Sequence, residues 1–93
     1  MSYGVRVEDR LDGASNFSPW KEWIMLILEV NDLLDLTKPT VTPPTNATQL
    51  AEHNKKDAKA RMLILDAVRD HIIPHLLRKK TTIEMWEALI KLY

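Results

Sequence analysis

The pair His71 and His75 comes closest to a chemical pattern in this sequence. Residues four apart share one face of a helix, the spacing at which two imidazoles can hold a metal ion. Pro74 stands between them and disturbs that geometry, and Asp70 is the one further ligand nearby. Surface or interfacial histidines are the better reading. A nucleophilic site fares no better, because Ser18 is placed to cap a helix and there is no glycine-rich nucleophile turn or phosphate loop. These residues predict no enzyme, no metal, no cofactor and no small-molecule substrate.

Two basic runs, "NKKDAKAR" and "LLRKK", make Lys55, Lys56, Arg78, Lys79 and Lys80 candidates for an RNA contact. Any such contact should be weak, since no aromatic residues interleave the cations and 13 basic side chains are balanced by 13 acidic ones. Asn46-Ala47-Thr48 matches a glycosylation sequon, but helix capping is its expected use. The tryptophans recur at helical spacing, which favours core packing over a pocket lining.

The elements that position these residues follow from caps and periodicity. Ser18 as N-cap and Pro19 at the first helical position predict a helix from Pro19, with Phe17 packing back as a staple and Gly13 serving a turn before it. Trp20, Ile24, Ile27 and Leu28 define its core face. Trp23, Met25, Leu26 and Val30 make it apolar on further sides. Asn31 is a candidate left-handed stop, and "NDLLDL" either continues the helix or forms a separate turn. Prolines 39, 43 and 44 mark residues 37–47 as an exposed connector.

A second helix should begin near Asn46 or Thr48 and present Leu50, Ala58, Met62, Leu65, Val68 and Ile72 along one face, ending or kinking at Pro74. A short turn over "HLLRKK" leads to a last helix, capped by Thr81 with Glu84, whose face is Ile83, Trp86, Ile90 and Tyr93. The whole is an all-α domain, a small bundle of about four to five helices, with residues 1–16 as an N-terminal arm. The expected core anchors are Phe17, Trp20, Ile24, Ile27, Met62, Leu65 and Trp86.

With 45% hydrophobic and 28% charged residues the composition is that of one ordinary globular domain. There is no cysteine, so neither a disulfide framework nor a thiolate zinc site can form. "WIMLILEV" is too short to span a bilayer, and no secretory signal opens the chain, so a cytoplasmic setting without membrane contact is expected. The last apolar position falls on Tyr93, which suggests a piece of something longer.

The order of the motifs resembles the N-terminal region of the Gag polyprotein of plant copia-type LTR retrotransposons. That family's Leu-Asp-Gly opening with its Asn, aromatic and Trp is met by Leu11, Asp12, Gly13, Asn16, Phe17 and Trp20. Its Asp-x-Lys-Ala helix is met by Asp57, Lys59 and Ala60, and its closing pattern by Thr81, Trp86, Leu89 and Tyr93. Ala14-Ser15 widens the opening motif, and Leu34 stands where the family often has a tryptophan. The resemblance implies a fold like a retroviral-type capsid N-terminal domain fragment, whose copies assemble into virus-like particles around the element's RNA.

The residues themselves also point towards assembly. A small bundle buries about one face per helix, so Trp23, Met25, Leu26 and Val30, with Ile90 and Tyr93 at the chain end, are the candidates for contact with another copy. The rival expectation is a host-derived or truncated Gag-like adaptor, which binds a partner protein or interferes with Gag assembly.

Overall fold

The computed structural model describes residues 9–93, so the first half of the expected arm lies outside the described residues. Among those described, four helices form an all-α domain: α1 (Phe17–Val30), α2 (Ala47–Asp66), α3 (Ile73–Leu76) and α4 (Thr82–Leu92). Two 3-10 turns, Ala14–Asn16 and Leu34–Thr37, precede and follow α1.

Helix α1 buries Trp20, Ile24, Ile27 and Leu28, the four residues that share its inner side. The expected Ser18 cap does not form. The 3-10 turn over Ala14–Asn16 runs straight into Phe17, so the chain is already wound at Ser18. Pro19 then lies inside the first turn, where a missing donor costs no intrahelical bond. The stop is also one residue later than expected. Asp32, not Asn31, takes the left-handed conformation, at φ 59°. Its N–H donates to Glu29 O at 3.0 Å and the Leu33 N–H to Leu28 O at 2.7 Å, the Schellman pattern, and Leu28 and Leu33 are both buried.

Asn46 caps α2 as expected, its Oδ1 accepting from the N–H groups of Thr48 and Gln49 at 2.9 and 3.2 Å. The inward face of α2 differs from the expected one. Asp57, Ala60 and Ile64 are buried, whereas Met62 is 62% exposed, Ala58 is exposed and Leu65 is only half-buried. Met62 is two residues from both Ala60 and Ile64, about 200° round the helix, and so cannot share their face. Large apolar residues mislead here because the inner stripe uses a small alanine and a carboxylate.

Helix α2 also ends early, at Asp66, and the chain then extends alongside Leu11. The Leu11 N–H donates to Ala67 O and the Arg69 N–H to Leu11 O, both at 2.9 Å. Val68 and Ile72 are buried, but beyond the helix and not on it. Pro74 falls in the first turn of α3, so it begins a helix instead of ending one.

Thr81 caps α4, its Oγ1 accepting from the Glu84 N–H at 3.3 Å, while the Glu84 carboxylate accepts from Lys80 N–H at 2.9 Å. Thr82, Met85, Trp86 and Leu89 are the buried stripe. Ile83 is half-buried, and Ile90 and Tyr93 are exposed, so of the expected face only Trp86 is fully inside. Trp86 meets Trp20 with ring centroids 6.4 Å apart, joining α4 to α1 at the centre of the core.

Candidate interaction surface

Several of the polar and aromatic residues of the opening motif are used to tie the chain down. Leu11 is fully buried, and Ala67 O accepts from two donors at once, the Leu11 N–H and, at 2.8 Å, Trp20 Nε1–H. Asn16 holds the strap ahead of α1 closed: its Oδ1 accepts from the N–H groups of Asp12 (3.0 Å) and Gly13 (3.2 Å), and its Nδ2 donates to Arg10 O (2.9 Å). Gly13 heads this turn as expected, its carbonyl accepting from the Asn16 N–H at 3.3 Å, but its φ of 172° is extended backbone open to any residue. One ring nitrogen of His71 bonds to Asp12 O at 2.8 Å, and Phe17 stacks on Trp20 with ring centroids 6.1 Å apart and meets Tyr93 tilted at 5.6 Å.

Asp57 performs the same service at the other end of the domain. Its Oδ1 accepts from the Thr82 N–H and its Oδ2 from Arg61 Nε–H, both at 2.9 Å, and its carbonyl accepts from Thr82 Oγ1–H at 3.1 Å. A carboxylate on α2 thus satisfies an open donor in the first turn of α4, where the helix dipole favours negative charge. No group of three metal-ligating side chains occurs among the described residues. No helix among them is long and apolar enough to cross a membrane.

Two surface features are left. The first is a ridge on α1, where Trp23 and Leu26 are each 54% exposed and Val30 is 64% exposed. Pro19, also exposed, precedes Trp23 by one turn, so the four residues follow the spacing four, three, four along one stripe. Glu22 and Glu29 are exposed along its outer edge. Met25 does not belong to this ridge. It lies on the opposite flank of α1, half-buried against the core, because one residue turns the helix by about 100°.

The second feature is an open groove of about 730 Å³ between α3 and α4. Ala88 and Leu92 are its apolar lining residues, Arg78, Lys79, Lys80 and Lys91 its cations, and Glu84 and Glu87 its carboxylates. Three of the five RNA-contact candidates therefore come together here, while Lys55 and Lys56 stand exposed on α2 outside the groove. His75 lines the groove, whereas His71 is held by the strap. Sequence reasoning missed Lys91, Ala88 and Leu92, since the groove joins segments that only the turn after α3 brings together. Pro19 was legible from its spacing to Trp23.

Residues 24–93 match the family model described as the gag-polypeptide of LTR copia-type. The chain belongs to the copia-type Gag family. No curated protein and no solved structure matches it. The match opens at Ile24, inside α1, and takes in α2, α3, α4 and the groove. The strap from Leu11 to Trp20 precedes the matched region of this Gag domain, yet its hydrogen bonds end on Ala67, well within that region.

Proposed function

We propose that this Gag chain is a structural building block whose copies associate through the α1 ridge to build particles around the element's RNA. The observation that supports this reading is the stripe of Trp23, Leu26 and Val30, exposed on a helix whose other side forms the centre of the core. Isolated apolar residues on a surface are ordinary, but a contiguous row that includes a tryptophan is the usual mark of a contact surface. Each copy presents the same row, so the contact it makes is repeated by every copy, as closed or extended assemblies require.

The test is sedimentation velocity with light scattering from micromolar to millimolar chain, on wild type and on Trp23→Ser/Leu26→Ser. Wild type should associate as concentration rises. The double variant should keep its helical circular dichroism and lose most of that association. Wild type that stays monomeric across the range, or a folded double variant that associates as wild type does, would overturn the reading.

A further inference from the structure

The ridge and the groove are opposite in charge and matched in character. The ridge is an apolar row with Glu22 and Glu29 along its edge; the groove sets Ala88 and Leu92 among Arg78, Lys79, Lys80 and Lys91. Glu84 and Glu87 reduce the positive charge of the groove without reversing it, four cations standing against two carboxylates. Among the described residues no ion pair engages Glu22, Glu29, Arg78, Lys79, Lys80 or Lys91. A chain with formal net charge of zero has thus separated unpaired charges of opposite sign onto two surfaces. The groove is also of the size that receives side chains, roughly 300–1,000 Å³ for clefts that enclose a small ligand.

We infer that the α1 ridge of one copy docks in the α3–α4 groove of the next, a head-to-tail contact steered by Glu22 and Glu29 against the groove cations. This deepens the self-association proposed above and rests on it. Trp23, Leu26 and Val30 cover Ala88, Leu92 and the aliphatic stems of the lysines, whose charged ends remain at the rim. The α3–α4 groove, not a second ridge, is the occupant's seat because two ridges would gather four glutamates into one contact without the groove's cations, and like charges there are unfavourable. A contact between two different patches leaves a free ridge and a free groove at the ends of every assembly, so it propagates into rings or open arrays and does not stop at a dimer.

Three variants test this by sedimentation velocity: Glu22→Lys/Glu29→Lys on the ridge, Arg78→Glu/Lys80→Glu at the groove, and all four substitutions in one chain. The four positions are exposed, and circular dichroism checks that each variant is folded. Each double variant should associate on the order of tenfold more weakly than wild type, as expected for two exposed ion pairs turned into repulsions. The fourfold variant, with both charges exchanged, should recover association. A groove variant that associates as wild type does, or a fourfold variant that does not recover, would refute the head-to-tail contact and leave self-association standing. If wild type itself remains monomeric, both fail together.

Discussion

Asp57 is the residue whose role is least like its appearance in the sequence. It is a carboxylate in the middle of the most hydrophilic stretch of α2, yet it is buried and holds Arg61 and the first turn of α4. Replacing it with alanine would leave the Thr82 N–H and the Arg61 guanidinium unpaired, so Asp57→Ala should cost about 2–3 kcal/mol. Asp57→Asn keeps one oxygen for the Thr82 N–H and loses the charge, and should cost about half as much. Urea unfolding monitored by circular dichroism measures both, and equal losses would mean that the hydrogen bond to Thr82 contributes nothing. Trp20 was legible as a core anchor because its partners in spacing, Ile24 and Ile27, follow within two turns. Asp57 was not, because its partner Thr82 is 25 residues away and only the packing of α2 on α4 brings them together.

At the scale of elements, N-caps were read well where a side chain acts on its own turn, as Asn46 and Thr81 do. They were misread where neighbouring structure intervenes. The strap takes over Asn16 and moves the start of α1, and the pairing of Leu11 with Ala67 and Arg69 draws the chain out of α2 before Val68. Helix α1 shows the same limit in its cross-section. Its composition predicts an apolar excess without saying which flank is covered, and the structure covers Met25 while leaving Leu26 open. Met25→Glu should therefore destabilise the domain by about 1–3 kcal/mol, the cost of placing a charge against the core edge. Leu26→Glu should stay within about 0.5 kcal/mol of wild type. Thermal melts separate the two, since 1 kcal/mol moves the midpoint of a domain this small by roughly 4–8 °C. Equal melting temperatures would mean that both flanks of α1 are equally open.

The whole molecule measures 42 × 30 × 20 Å, and its shortest dimension accommodates about two helix diameters of roughly 10 Å each. Among the described residues no third layer lies over α1, and the ridge of Trp23, Leu26 and Val30 remains open. Thinness and charge separation together decide how this domain should meet RNA. Its net charge of zero supplies no long-range attraction, so any binding has to come from local cations, of which the groove gathers four while Lys55 and Lys56 stand apart on α2. Four cations neutralising four phosphates of a single strand would give a slope of log affinity against log salt of about −3, so an affinity measured in dilute buffer should fall steeply at physiological salt. Those same cations are the seat we assign to the ridge of a neighbouring copy, and a polyanion in the groove should therefore compete with self-association. The expected outcome is weak binding of single-stranded RNA, no tighter than micromolar at physiological salt, with added oligonucleotide dissociating the assembled chain. Fluorescence anisotropy of a labelled oligonucleotide, run beside sedimentation with the same oligonucleotide, tests this. Submicromolar binding at that salt, or RNA that promotes association, would show that the domain grips RNA by a surface other than the groove.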